Sequence, residues 1–239
     1  MTNPPHDNPV LAALGTRALD FVKDGYVVGL GTGRAATAFV EALARRVREG
    51  LRVTGVPTSA ATATVAHECG IPLVGLDDVD LIDVTVDGAD EVDPQLDLIK
   101  GYGGAMVAEK IVAAASRTEI ILVGSEKLVP VLGRRGILPV EVIPFAVGFC
   151  KRRLATLGCQ PQVRLTNGRP FISDSGNHIL DCGIEPIAKP QALEHSIRAI
   201  PGVVGTGLFL GIADVVLVGE GDVAVRELRR QESMLSAES

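Results

Sequence analysis

The chain has no tryptophan, and phenylalanine and tyrosine supply only 3% of its 239 residues. Single-stranded nucleic acid is held on aromatic stacking platforms, so this scarcity excludes that class of partner. An excess of positive charge is missing as well. Lys and Arg number 23 against 29 Asp and Glu, and the formal charge of -6 repels nucleic acid and acidic membranes. No window has the eighteen or more uninterrupted apolar residues of a membrane span, since even Val203 to Val218 is broken by glycines and Asp214. The four cysteines, Cys69, Cys150, Cys159 and Cys182, show no close metal-ligand pairing and are expected to be reduced thiols. The four histidines, His6, His67, His178 and His195, are scattered without ligand spacing, so no metal site is expected. The opening MTNPPHDNP is polar and proline-rich with no apolar core; it reads as a flexible tail rather than a secretory signal, and a cytoplasmic location is expected.

What remains is ample for a core, with 46% hydrophobic residues. Helical and strand patterns alternate up to about residue 133: helix Val10 to Lys23, strand Tyr26 to Leu30, helix Ala35 to Glu49, strand Leu51 to Val56. That is the βαβ rhythm of a parallel sheet. From Ile137 the order becomes strand, helix (Phe145 to Leu157), strand (Gln162 to Leu165), strands around Phe171 and Ile179, helix (Gln191 to Ala199) and strand (Val203 to Leu208). Such an order fits a split βαβ, ferredoxin-like unit. A strand Ala213 to Val218 and a charged helix Val223 to Arg230 are then expected to rejoin the first sheet.

The densest chemistry lies between Ile82 and Lys110, IDVTVDGADEVDPQLDLIKGYGGAMVAEK. The apolar run Leu81 to Val86 stops at Asp87-Gly88, so Asp87, Asp90 and Glu91 are expected where a buried strand surfaces. Ligands of open α/β sheets bind at that end of the strands. A second strand, Leu96 to Ile99, brings Lys100 to the same rim, and Gly101-Tyr102-Gly103-Gly104 turns into a helix whose first amides suit a phosphate or an oxyanion. On that helix Glu109 borders an apolar stripe, where desolvation raises a carboxyl pKa toward the range of a general base, while Lys110 is expected on the wetter side. An anionic substrate must be held locally, and Lys100, Lys127 and the loop amides are the candidates.

Gly31 to Ala36 also fits the G-x-G-x-x-A pattern of dinucleotide-binding turns. A nicotinamide site wants an acidic residue about twenty positions on. There the chain reads Val56-Pro57-Thr58-Ser59, whose hydroxyls suit a phosphate or sugar better. Asp174, Ser175, Gly176 and Asn177 read as a turn between strands.

The segments DGADE (Asp87 to Glu91), KGYGGA (Lys100 to Ala105) and AEK (Ala108 to Lys110) resemble the signature of the A-type ribose-5-phosphate isomerases. The similarity continues in order through VVGLGTG (Val27 to Gly33), VPTSAAT (Val56 to Thr62), SEKLVPVLG (Ser125 to Gly133), LPVEVIP (Leu138 to Pro144), DSGNHILD (Asp174 to Asp181) and IPGVVGTGLF (Ile200 to Phe209). It implies a Rossmann-like catalytic domain, residues 1–133 plus 208–239, with a smaller ferredoxin-like α+β domain at 134–207, assembled as a homodimer or dimer of dimers. It also implies cofactor-free interconversion of ribose 5-phosphate and ribulose 5-phosphate through an enediolate. Glu109 would move the proton between C1 and C2, Asp87 would assist ring opening, and Lys100, positioned by Asp90, would stabilise charge on the reacting oxygens. Gly31, Thr32, Gly33, Arg34 and Ala35 would shape the sugar-phosphate pocket. So would Gly88 and Ala89, the turn Gly101, Tyr102 and Gly103, and Lys127. The chain departs from the family pattern at Arg34-Ala35, where Ser-Thr is usual, and at Tyr102, which replaces a glycine and is expected to narrow the pocket. Ala108 stands where arginine is frequent, and the first helix has no lysine before Lys23. A catalytically idle sugar-phosphate sensor is the rival, and joint retention of Asp87, Asp90, Lys100 and Glu109 argues against it.

Overall fold

The computed structural model describes residues 8–221 and 223–230. Asn8 caps the first helix, α1 (Pro9–Ala18), by accepting from the amides of Val10 and Leu11. The order continues β1 (Tyr26–Leu30), α2 (Arg34–Arg48), β2 (Val53–Pro57), α3 (Ala60–Glu68), β3 (Val84–Gly88), β4 (Glu91–Val92), β5 (Leu98–Ile99), α4 (Met106–Ala114) and β6 (Glu119–Gly124). Then come β7 (Ile137–Val142), α5 (Val147–Thr156), β8 (Gln160–Val163), β9 (Leu165–Thr166), β10 (Arg169–Pro170), β11 (His178–Gly183), α6 (Pro190–Arg198), β12 (Val203–Thr206), β13 (Leu208–Phe209), β14 (Val215–Glu220) and β15 (Ala224–Arg229). The tail expected at the amino terminus falls largely on residues 1–7, outside the described residues, as does His6.

Six strands form the main sheet in the order β15-β14-β6-β3-β1-β2. All pairs are parallel except β14 with β15. Strands β6 and β14 are continuous apolar runs because both faces of the sheet are covered. Ile120, Leu122, Val215 and Leu217 join the core beneath α1 and α2, whereas Ile121, Val123, Val216 and Val218 face Met106 and Phe209 on the other side. From β1 the chain moves outward to β2 and then returns to β3 on the opposite flank of β1. The carboxyl ends of β1 and β3 therefore flank a topological switch point, the favoured ligand site of such sheets.

The second sheet, β12-β7-β11-β8, is antiparallel throughout. With α5 and α6 in the sequence βαββαβ, this is the ferredoxin-like arrangement that the element order predicts. Its core holds Leu138, Val140, Cys150, Leu154, Leu180 and Ile197. A small sheet, β13-β5-β4, lies at the junction, where β13 pairs with β5 immediately before Lys100.

The first helix stops at Ala18, short of the expected Lys23, and two further elements differ more. The segment from Val223 to Arg230 forms strand β15, not a helix. Val225 and Leu228 are three apart, a spacing a helix would place on one face; in the strand they pack on opposite faces of the main sheet. The charged Arg226, Glu227 and Arg229 suit an edge strand, which has to resist pairing with another chain. The strand expected from Leu96 begins only at Leu98, because Asp93 Oδ1 accepts from the amides of Gln95 and Asp97 and the turn puts Leu96 at φ 58°.

Candidate active site

Strand β3 delivers Asp87 to the switch point, on the sheet face that α4 covers. Asp87 is buried; its Oδ1 accepts from Thr32 N at 3.1 Å and Gly88 N at 2.7 Å. The β1 loop approaches so closely that a Cβ on Gly31 would lie 2.3 Å from Asp87 Cγ, which is why glycine stands there. Asp87 Oδ2 pairs with Lys100 Nζ at 2.9 Å, and Nζ also donates to the Gly88 carbonyl. Lys100 Nζ lies 3.3 Å from Glu109 Oε2, an ion contact whose geometry falls short of a hydrogen bond, so that buried oxygen has no hydrogen-bond partner.

These groups are almost dry: Lys100 is 3% exposed, Asp87 1% and Glu109 5%. Burial works against the Lys100 charge, but the carboxylates of Asp87 and Glu109 outweigh it and hold the ammonium protonated well above its ordinary range. Glu109 moves the other way. Burial and then the Asp87 charge push it up to about 8, with Lys100 opposing. A carboxylate poised near neutrality and a permanent cation beside it are the parts needed for proton transfer next to a carbonyl.

A cavity of about 480 Å³ opens over this cluster, within the size range of small-molecule sites. Lys100, Gly103 and Glu109 line one part. Thr32, Gly33, Arg34 and Ala35 line another, where α2 begins without a side-chain cap. The uncapped first amides of a helix and a guanidinium are groups of the kind that bind phosphate, and Arg34 lies beside them. Lys127, in the short 3-10 turn after β6, adds a further cation. Among the described residues no group of three or more His, Cys, Asp or Glu side chains is placed to hold a metal ion, and no helix is long and apolar enough to cross a membrane.

Residues 54–223 match the family model described as ribose 5-phosphate isomerase A (phosphoriboisomerase A). The chain belongs to the ribose 5-phosphate isomerase A family. A Roseiflexus castenholzii protein named ribose-5-phosphate isomerase A is 50% identical over 209 residues, 86% of this chain and 89% of that one. One of the same name from Gloeobacter violaceus is 52% identical over 211 residues, 87% of this chain and 92% of that one. Among solved structures, ribose 5-phosphate isomerase A from Methanocaldococcus jannaschii superposes with a TM-score of 0.87 at 41% identity, over 92% of this chain and 98% of that one. A D-ribose-5-phosphate isomerase in complex with phospho-erythronic acid superposes at 0.89 and 39% identity, over 96% of this chain and all of that one.

The family signature residues do not all meet. Gly88, Ala89, Asp90 and Gly101 line the cavity with those already named, while Asp87 lies beneath it against Lys100. Asp90 is not the group that positions Lys100: its Oδ2 accepts from Tyr102 N at 3.0 Å, and Asp87 holds the lysine. Glu91 turns away from the rim, fully buried, to accept from the amides of Gly133, Arg134 and Arg135. The Tyr102 side chain leaves the cavity too; it packs on the core of the smaller sheet, and its hydroxyl donates to Ile137 O at 3.4 Å. Lys110 is mostly covered and does not lie on a wet face. It donates to Thr206 O at 2.9 Å and Leu208 O at 2.7 Å and pairs with Glu194 at 3.5 Å, tying α4 to the chain returning from the smaller sheet.

Two groups, one buried and one half-buried, escaped the sequence reading. Glu119 opens β6 in register with Thr85, on the same sheet face as Asp87, and its Oε2 has no hydrogen-bond partner. Burial, then the negative charge of Asp87, raises its pKa well above the usual carboxylate range. An acidic residue at the start of an apolar strand gives no sign of which face it occupies. The second is Arg164, described below.

Proposed function

We propose that this chain interconverts D-ribose 5-phosphate and D-ribulose 5-phosphate, the isomerisation of the non-oxidative pentose phosphate route. The observation that carries the reading is Glu109, buried and held near neutrality beside Lys100 and Asp87, in the same cavity as the α2 amino terminus. The phosphate sits on the amides of Gly33, Arg34 and Ala35 and under the Arg34 guanidinium, which takes over from the hydroxyls usual in the family. Lys127 screens the dianion. Gly31 has no side chain to offer; its role is to let the loop close on Asp87.

At the other end Glu109 takes the proton from C2 of the open-chain aldose. The C2–H electrons form the C1=C2 bond and the carbonyl electrons move to O1, which Lys100 stabilises as an oxyanion. Glu109 returns its proton to C1 while the O2 proton moves to O1, leaving the carbonyl at C2. Asp87 holds Lys100 and assists proton exchange among the oxygens; Asp90 fixes the turn at Tyr102. Purified protein should interconvert the two sugars without added metal or nucleotide, and Glu109→Gln should reduce kcat by about 10²–10⁴-fold or more. Retention of most turnover in that variant overturns the reading. If the wild type is idle on these pentoses but active on another aldose phosphate, Arg34-Ala35 has changed the specificity.

We further infer two structural units with the boundaries given above, a cytoplasmic setting consistent with the four free cysteines, and self-association. Ile143, Phe145 and Phe149 are exposed near one another in sequence, Phe145 at 97%, and give an apolar face suited to a second copy. Sedimentation equilibrium distinguishes monomer, dimer and dimer of dimers.

A further inference from the structure

In the turn Gly101 to Gly104, Gly101 and Gly103 line the cavity, and Arg164, just beyond β8 in the smaller sheet, grips the turn from the other side. Arg164 Nη1 donates to Gly101 O at 2.8 Å and Tyr102 O at 3.2 Å. Its Nε donates to Asp181 Oδ2 at 2.9 Å and its Nη2 to Asp181 Oδ1, so β11 sets the plane of the guanidinium. Phe171 completes the grip. Its ring lies 5.8 Å from the guanidinium and presses on Gly104, whose φ is 90° and where a Cβ would sit 2.5 Å from Phe171 Cζ.

The consequence follows from the planarity of the trans peptide, in which C=O and N–H point in opposite directions. With the Gly101 carbonyl turned to Arg164, Tyr102 N–H points the other way, and it meets Asp90 Oδ2 on the cavity rim. The next peptide obeys the same geometry. With the Tyr102 carbonyl also on Arg164, Gly103 N–H turns to the cavity side, and Gly103 lines that cavity. Two successive amides facing the same way form a concavity that attracts anions.

We propose that Arg164 is a positioning residue for the reaction: by holding the Gly101 and Tyr102 carbonyls outward, it aims the Gly103 amide at the oxyanion that develops on the sugar beside Lys100. This rests on the isomerase reading. Lysine is a poor substitute, because one ammonium does not reproduce the planar fork that serves two carbonyls and a bidentate carboxylate at once.

The test compares wild type, Arg164→Lys and Asp181→Asn, which frees the guanidinium without removing it. Loss of one oxyanion donor costs about 10²–10³ in kcat in characterised sites. In Arg164→Lys kcat should therefore fall by about 10–10³-fold with KM for ribose 5-phosphate within about threefold, because the amide acts on charge that develops in the transition state. Asp181→Asn should follow in the same direction with a smaller loss. Independently of turnover, the ¹⁵N–¹H resonance of Gly103 should shift when the wild type is saturated with phospho-erythronic acid, whose carboxylate mimics the enediolate oxygens, and this response should be lost in Arg164→Lys. Unchanged kcat in folded Arg164→Lys, a loss confined to KM, or a Gly103 amide indifferent to the ligand in wild type overturns the proposal. A wild type without turnover whose Gly103 responds counts against the isomerase reading and not against the clamp.

Discussion

Glu109 and Glu119 share one buried space with Asp87, and Lys100 is the cation among them, so the carboxylates compete for a single compensating charge. Both glutamates have raised pKa values, and the sign of the effect on stability follows. The folded protein keeps these protons to higher pH than the unfolded chain, so above the ordinary value of 4.5 the native state is the more protonated one. Stability from this source is complete below about 4.5 and is lost as pH rises, through about 8 for Glu109. Glu119→Gln, which never ionises, should accordingly match the wild type in Tm near pH 4.5 and exceed it at pH 8; equal Tm values at both pH values would show Glu119 to be solvated. In turnover the same titration runs the other way, since the base must be ionised to accept a proton. For the wild type, kcat/KM should climb with pH to a plateau above about 8. An acid limb near the ordinary carboxylate value would mean that Glu109 is not the titrating base. The position of Glu109 beside an apolar stripe was legible from its neighbours in sequence, whereas the convergence of Glu119 on the same space was not, because it depends on which strand lies beside β3.

At the level of elements, α4 carries the base and is fastened ahead of its first turn and again at its middle. Its approach turn is held by Asp90 and Arg164, and one residue past Glu109 the Lys110 ammonium binds two carbonyls of the β12–β13 segment and lies 4.7 Å from the Phe209 ring centroid. Burial lowers the Lys110 pKa, and Glu194 opposes that shift. Lys110→Met keeps the aliphatic stem but leaves the Thr206 and Leu208 carbonyls without their donor, which costs about 1–3 kcal/mol for buried groups. Urea unfolding should show that loss, together with a fall in kcat as Glu109 loses its anchor; a variant as stable and active as the wild type would show the fastening to be idle. Helical periodicity foretold α4 itself, but not the direction of Lys110. A surface lysine and a strap between elements have the same sequence. The edge strand β15 makes the complementary case: Val225 and Leu228 suit either a helix or a two-faced strand, and only the vacant flank of β14 decides between them.

For the whole molecule, the main sheet and its loops line the cavity, and the smaller sheet supports one wall from behind. Besides Arg164, the turn after Phe171 sends Asp174 Oδ2 to Ala60 N at 2.8 Å, at the start of α3. Asp174→Ala removes a carboxylate from a helix amino terminus and one tie between the sheets, and about 1 kcal/mol of stability should go with it. A lower urea midpoint at unchanged m-value is the expected signature, and an unchanged midpoint would show the contact to be absent in solution. The sequence by itself determined the parallel sheet, the ferredoxin-like insertion, the end of β3 at Asp87 and the grouping of carboxylates, lysine and glycine turn. All of these rest on local signals: apolar periodicity, chain-breaking Asp-Gly, and short spacings along one or two elements. Tertiary structure decided that Asp87 rather than Asp90 holds Lys100, that Glu91 and Tyr102 turn away, that Lys110 is a strap, and that Arg164 reaches the turn at Gly101 from 63 residues away in the chain. A side chain's direction depends on what the fold places opposite it, and that partner lies in another element, beyond the range over which neighbouring residues constrain one another.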